Sequence, residues 1–406
     1  MNFKKVRKSM PFVLVLGMIF SFILSSVAFA VQPSDLYDNV WRLINTKYVD
    51  QTDNMQDWNT WRHKYDKYIK TDEDCYVAIE TMVASLNDPY TKFLDPKDFA
   101  EETSSIRGSL KGIGIQIAIK DAKLTVIAPI EDSPAEKAGL LADDEILEID
   151  GVSTKGISID KAADKIRGEQ GTAVNLLVKR KDVIKNYSIV RKEIELKSVS
   201  TKIPNDVKLS DEIGYIRLSS FISKNAASEF ENILRQSKDK KGFIIDIRSN
   251  PGGLLTNAIY ISNMLLPSGI IVSTVDRDGY KEVQRASGMQ VTNKPLIVLI
   301  NKGSASASEI LSGALKDNKR AVILGEKSFG KGLVQEINRL PNSSGVNITI
   351  QKYLTPNGTD INKKGIVPDI IVELSDEDIK NKDDKQLKKA NEVLLELINK
   401  NSCYNN

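Results

Sequence analysis

Apolar residues recur at helical spacing from Pro33 to about Thr103: Leu36, Val40, Leu43, Ile44 and Tyr48, then Val77, Ile79, Met82, Val83 and Leu86. That period predicts amphipathic helices with one buried face. Asp88-Pro89-Tyr90 ends the second pattern, and Asp95-Pro96 marks a turn or a short helix start. The region reads as a helical cap or dimerisation module.

From Gly108 to about Arg191 the spacing shortens to that of strands. Gly112-Ile-Gly-Ile115 opens one strand, Leu124–Ala128 forms another, and Asp144–Gly151 gives a third that ends in an Asp-Gly turn. Short helices are predicted at Ser133–Gly139 and at about Ser158–Arg167, with closing strands at Ala173–Arg180 and Lys185–Arg191. From about Glu195 to Leu374 strands alternate with helices. Candidate strands are Ile213–Leu218, Phe243–Arg248, Ile270–Val275, Leu296–Ile300, Ala321–Leu324 and Val346–Lys352; helices fall at Lys224–Gln236, Thr256–Leu266 and Ala307–Asp317. The unbroken apolar runs around Ile244 and Leu296 predict a sheet covered on both faces. Beyond Asp376 the tail is highly charged, but Leu387, Ala390, Val393, Leu394 and Leu397 form a helical stripe that predicts packing on the body.

The N-terminus changes the setting. Lys4, Lys5, Arg7 and Lys8 precede an uncharged apolar run from about Met10 to Val27, which leads into Ala28-Phe29-Ala30. A basic start, an apolar stretch and an Ala-x-Ala site describe a secretory signal peptide cleaved after Ala30. The alternative is an uncleaved anchor, with membrane association through residues 10–27. Either reading places the working protein outside the cytoplasm, in the cell envelope or secreted.

Composition excludes little else. The 406 residues allow two or three domains, 27% are charged, and the formal net charge is +3. Positive and negative residues are interspersed, so no nucleic-acid footprint stands out. Two cysteines, Cys75 and Cys403, lack metal spacing; they leave a disulfide open but make no scaffold.

Candidate chemistry lies in Asn301-Lys-Gly-Ser-Ala-Ser-Ala-Ser-Glu309. A serine hydroxyl is a poor nucleophile without a base, and the chain's one histidine, His63, sits in the N-terminal helical region. A lysine can replace it if burial lowers its pKa. Lys331, between Gly330 and Gly332 and near Phe329 and Leu333, suits that role. Gln335, four residues on, would share a strand face with it. The stretch Gly325–Lys331 looks like a phosphate-binding loop, but Gly332 stands where magnesium needs Ser or Thr and an extended segment follows. Small residues before the 307–317 helix leave its first-turn N–H groups open to developing negative charge. Ser249-Asn-Pro-Gly-Gly253 is a tight turn that could offer another N–H. Bland readings stand beside these: a serine N-cap at the helix, a plain turn at the glycines.

Residues 112–115, Ser133-Pro-Ala-x-x-Ala-Gly-Leu140 and Asp144-x-Ile-Leu-x-Ile-Asp-Gly151 resemble a PDZ domain. In such a unit Gly112, Ile113, Gly114 and Ile115 would hold a peptide carboxylate on backbone N–H groups, and an open sheet edge would accept the peptide as a strand. The wider chain, after about residue 36, resembles the carboxyl-terminal processing (tail-specific) proteases. The resemblance rests on Asp88–Pro96, the PDZ-like unit, Asp246–Gly253, Gly303–Glu309, Gly330–Gly332 with Gln335, Thr355–Gly358 and Gly365–Asp369.

That resemblance implies Ser306 as nucleophile, with Ser304 and Ser308 its nearest rivals, Lys331 as general base and Gln335 as its positioning partner. It implies an oxyanion hole from the N–H of Ala307 and of a glycine in the pair Gly252, Gly253. Arg167 would link the PDZ domain to the active state. The implied fold class is an α/β protease core of the crotonase/Clp-protease spiral type, with an inserted α+β PDZ domain and helical N- and C-terminal segments. The division reads 1–30 signal peptide or anchor, 31–105 helical region, 106–192 PDZ domain, 193–375 protease core and 376–406 helical tail. The function implied is a serine endopeptidase that cleaves proteins near their C-terminus, the PDZ domain capturing the free C-terminus and gating activity. No cofactor, metal or nucleic acid is implied, and a homodimer is permitted. A PDZ-type scaffold with an inactive core is the alternative.

Overall fold

The computed structural model describes residues 32–404 except 131, 196, 205 and 206; the export-signal reading of residues 1–30 and the apolar run 10–27 lie outside them, as does the side chain of Cys403. Cys75 is a buried free thiol whose Sγ lies 2.9 Å from the Pro33 carbonyl oxygen. Among the described residues no helix is long and apolar enough to cross a membrane.

The helices Pro33–Lys47 and Asp72–Ala84 pack together over Leu36, Val40, Ile44, Ile79 and Met82. Thr71 and Asp74 close a capping box at the start of the second, which fixes where it begins. This helical unit is not free-standing. Its core continues into Val346 and Ile348, and strand Lys92–Leu94 pairs antiparallel with Gly345–Leu354 of the body.

A linker helix, Pro96–Arg107, follows. Asp95 caps it by accepting the Asp98 N–H at 2.8 Å, Pro96 opens it, and Gly108 ends it at φ 80°. The sequence pattern showed only the start of this element, because no apolar stripe marks its length; none of its residues is buried.

The chain then enters and leaves a small domain through a two-stranded ribbon, Ser109–Gly112 against Lys192–Glu195. Between them a sheet runs in the order Ile115–Lys120, Lys123–Pro129, Glu145–Ile149, Ala173–Arg180, Val183–Val190. Val126, Ile146, Leu176 and Ile189 fill its core. Ile115–Lys120 is an edge strand, and the helix Ile159–Ile166 packs against it.

The body holds a sheet ordered Val199–Ser200, Ile213–Leu218, Gly242–Asp246, Leu296–Ile300, Val322–Gly325, Ile370–Ile371, parallel after its first pair. Every residue of the Gly242 and Leu296 strands is buried, as their unbroken apolar runs require. Helices Ala226–Gln236, Leu255–Leu265 and Ala307–Asp317 cover one face. The C-terminal helix Lys385–Tyr404 covers the other with Leu387, Ala390, Leu394 and Ile398. Burying each such Leu or Ile contributes about 1.5–3 kcal/mol relative to exposure. Arg248 pins the tail: it reaches Asp246 Oδ2 at 2.7 Å and Asp384 Oδ1 at 2.8 Å, both buried. A second sheet, built on Gly345–Leu354 with Leu333–Arg339 and Ile270–Asp276 beside it, closes the far side of the cavity described next.

Candidate active site

Strand Leu296–Ile300 ends in the turn that starts helix Ala307–Asp317. Three serines sit in that turn, and their surroundings separate them. Ser304 is buried and donates to Ile247 O at 2.8 Å; Ser308 is buried and donates to Asn250 O at 2.9 Å. Both hydroxyls are spent on the fold. Ser306 is only half-buried and lines a cavity of about 590 Å3. Its backbone lies at φ 55°, ψ −115°, a region a side chain enters at a cost of about 1–3 kcal/mol.

Two residues that line the same cavity carry open N–H groups. Among the described residues, those of Ala307 and Gly253 have no acceptor. Gly252, the other member of the pair, gives its N–H to Asn250 Oδ1 at 2.9 Å. Its contribution is close approach: a Cβ there would lie 2.8 Å from Ser306 Cβ and 2.9 Å from Ala307 N, so only glycine at φ 98° brings the turn this near.

Lys331 lines the same cavity. It is half-buried, and that burial pushes its pKa below the ordinary lysine value; Asp88 pulls it back up, Lys92 pushes it down, and Glu102 and Glu309 raise it. Nζ rests 4.4 Å from the ring centroid of Tyr90. No hydrogen bond among the described residues joins it to Ser306 Oγ or to Gln335. Gln335 also lines the cavity, but its amide donates to Thr349 Oγ1 at 3.3 Å. Lys331 precedes the strand Leu333–Arg339, and a bulge lies between Val334 and Gln335.

Glu309, which carried no role in the sequence reading, ties the backbones of Ser306 and Lys331 together. Its buried carboxyl group accepts the N–H of Ser306 (2.9 Å) and Lys331 (2.8 Å) on Oε2, and Gly330 N–H (2.6 Å) and the Ser328 hydroxyl (2.5 Å) on Oε1. The Ser306-x-x-Glu309 spacing of a capping box was its one local signal. Tyr353 adds a second tie: its hydroxyl lies 2.5 Å from Lys331 O and 3.2 Å from Ser306 O.

The small domain approaches the cavity through the linker helix. Among the described residues, the N–H groups of Ile113 and Gly114 have no acceptor, beside the open edge Ile115–Lys120. Arg167 lies beside Gly112, and its Nη1 meets Glu101 Oε2 of the linker helix at 2.6 Å. The next residue, Glu102, lines the cavity with Ser105 and donates nothing: it accepts Asn347 Nδ2 at 2.9 Å. His63 is far from this machinery in role, exposed and paired with Asp66 at 3.0 Å.

Comparison with known proteins agrees with this layout. Peptidase family S41 matches residues 212–372, and a PDZ domain matches residues 125–180. The chain is 43% identical to a carboxyl-terminal-processing protease of Synechocystis over 86% of its own length and 83% of the relative's. It is 38% identical to the carboxy-terminal processing protease CtpA of Bacillus subtilis, over 77% and 67%. Among solved structures, the photosystem II D1 C-terminal processing protease superposes with a TM-score of 0.58 at 32% identity, covering 85% of this chain and 94% of that one. A family S41 protease of Bacteroides fragilis superposes at 0.59 with 16% identity, over 87% and 96%, a likeness of fold alone. The chain belongs to peptidase family S41 and is a serine-type carboxyl-terminal-processing peptidase that carries a PDZ domain and acts on protein or peptide substrates.

Proposed function

We propose that Ser306 and Lys331 form the catalytic dyad of this peptidase. The observation that carries the reading is their sharing of one cavity in complementary states: Ser306 is the half-buried serine of its turn on a strained backbone, and Lys331 is a lysine whose charge is disfavoured by burial. The neutral amine takes the Ser306 proton as Oγ attacks the peptide carbonyl. The tetrahedral oxyanion develops opposite the N–H groups of Gly253 and Ala307. On collapse the ammonium returns a proton to the leaving amine, and the acyl-enzyme remains. Water, losing a proton to Lys331, then hydrolyses the ester and frees Ser306. Because Nζ now rests on Tyr90, the lysine side chain has to swing before the first step, and Gln335 has to leave Thr349 to guide it.

The PDZ domain takes the substrate's C-terminal carboxylate at Gly112–Ile115, with the chain added along Ile115–Lys120. The open N–H groups of Ile113 and Gly114 favour this. Arg167 relays binding: its bond to Glu101 ties the peptide groove to the helix that carries cavity residues Glu102 and Ser105. The ribbon at Ser109–Gly112 and Lys192–Glu195 favours an inserted PDZ domain at 106–192, with residues 31–105, 193–375 and 376–406 as helical region, core and tail. The covered parallel sheet favours the crotonase/Clp-like spiral for the core. Export by residues 1–30, cleaved or retained as an anchor, completes the reading, and a homodimer through the terminal helices is its permitted assembly.

Hydrolysis of a peptide with a free C-terminus by purified Ser306→Ala and Lys331→Ala tests the dyad. Both variants fold and lose turnover by at least about 10³-fold; near-normal turnover by either would remove it.

A further inference from the structure

We infer that Tyr90 is a positioning residue for Lys331: its ring face holds the amine away from Ser306 between turnovers and sets how readily that amine becomes free. The inference rests on Lys331 being the base.

The contact is built, not incidental. Tyr90 N–H donates to Asp88 Oδ1 at 3.0 Å, and Thr91 Oγ1 donates to Asp88 Oδ2 at 2.8 Å. Thr91 Oγ1 in turn accepts Thr349 N–H at 3.0 Å, and the following residues, Lys92–Leu94, are laced to Gly345–Leu354. The helical N-terminal unit therefore delivers one aromatic ring to a fixed place in the cavity. Lys331 Nζ sits 4.4 Å from its centroid. The charged groups acting on Nζ are Asp88 beside the ring, Lys92 on the adjoining strand, Glu102 on the linker helix and Glu309 on the site helix, while the Tyr353 phenol meets the Lys331 backbone carbonyl.

An aromatic face attracts an ammonium and offers a neutral amine little. It therefore favours the charged, resting lysine by the energy of the contact, against the burial that favours the neutral one. Removing the ring removes that hold, and the amine loses its proton at lower pH. The hydroxyl is irrelevant to the effect, so phenylalanine preserves it.

The test follows the Lys331 ε-carbon by NMR in protein labelled on lysine, the signal identified by its loss in Lys331→Ala, beside the pH profile of kcat/KM. In Tyr90→Leu both the titration and the acid limb move to lower pH by about half to one unit; in Tyr90→Phe neither moves. Pentafluorophenylalanine at position 90 keeps the ring's shape and reverses its quadrupole. It produces the same downward shift, which also covers a leucine variant that fails to fold. An unmoved titration with leucine or the fluorinated ring, or an equal shift with phenylalanine, overturns the inference. The two failures read out separately: hydrolysis by Lys331→Ala would remove the base, whereas an unmoved ε-carbon would remove the hold.

Discussion

Glu309 accepts the backbone N–H of Lys331 at 2.8 Å on the same oxygen that accepts the N–H of Ser306 at 2.9 Å. One buried carboxyl group thus sets the separation of the two residues' backbones. Its other oxygen takes Gly330 N–H and the Ser328 hydroxyl, so these four partners are all donors. In Glu309→Gln an amide N–H₂ would face donors and leave buried N–H groups unpaired, each costing about 1–3 kcal/mol. The expected outcome is a loss of about 2–3 kcal/mol in urea unfolding and a fall of kcat larger than any rise in KM. Unchanged kcat in a folded Glu309→Gln would show that the tie does not position the site.

Ser306 pays for its place in backbone strain. Glycine tolerates φ 55°, ψ −115° freely, though it adds chain entropy to the unfolded state. Ser306→Gly is therefore predicted to gain about 1 kcal/mol of stability while losing all turnover. Destabilisation in denaturant melts would mean that the turn is relaxed as it stands.

Arg167 and Glu101 are each well exposed, so their ion pair is worth only about 0.2–1 kcal/mol to folding. Its effect on ligand binding is more direct, since Glu101 occupies the guanidinium beside the PDZ glycine loop. Glu101→Gln should leave the melting temperature within a degree or two and tighten binding of a labelled peptide with a free C-terminus by up to about 5-fold, read by fluorescence anisotropy. Arg167→Gln should weaken it. Equal affinities in all three proteins would detach Arg167 from the peptide groove.

Asp53 supplies a pH dependence of stability outside the site. Burial raises its pKa to about 6, with Arg277 opposing the rise and Asp50 adding to it, and its Oδ1 has no partner among the described residues. Because the folded value exceeds the unfolded one, its contribution is present in full below about pH 4 and is lost as pH rises through 6. Asp53→Asn should remove that slope and stabilise the protein at pH 7 by about 1 kcal/mol. An unchanged slope between pH 4 and 7 in chemical denaturation would contradict this.

How much of this was legible depended on whether a signal was local. The body strands announced themselves because burial on both faces leaves no polar position in Leu296–Ile300. The helix Ala307–Asp317 was found to the residue because its cap and apolar face are adjacent in sequence. The linker helix was not, since all its residues remain accessible and only its caps are diagnostic. Within the serine turn, spacing alone left three hydroxyls equivalent; what separates them is contact with Ile247 and Asn250, more than fifty residues away in sequence. The same holds for the glycine pair, where Asn250 engages the Gly252 N–H and, among the described residues, the Gly253 N–H has no acceptor. Tyr90 was visible as part of an Asp-Pro-Tyr break, but nothing near it in the chain points to Lys331. Gln335 was expected to share a face with Lys331; both line the one cavity, and the Gln335 amide donates to Thr349, a contact that local spacing does not announce.

The reactivity of Ser306 toward a fluorophosphonate tests the dyad most directly, because it needs no knowledge of the natural substrate. The adduct is located by mass spectrometry and its rate followed from mild acid to mild alkali in the wild type and in Lys331→Ala. The account predicts modification at Ser306, not at Ser304 or Ser308, with a rate that climbs with pH through an ionisation below the ordinary lysine value and collapses in Lys331→Ala. A rate indifferent to the loss of Lys331, or an adduct on another serine, would contradict it.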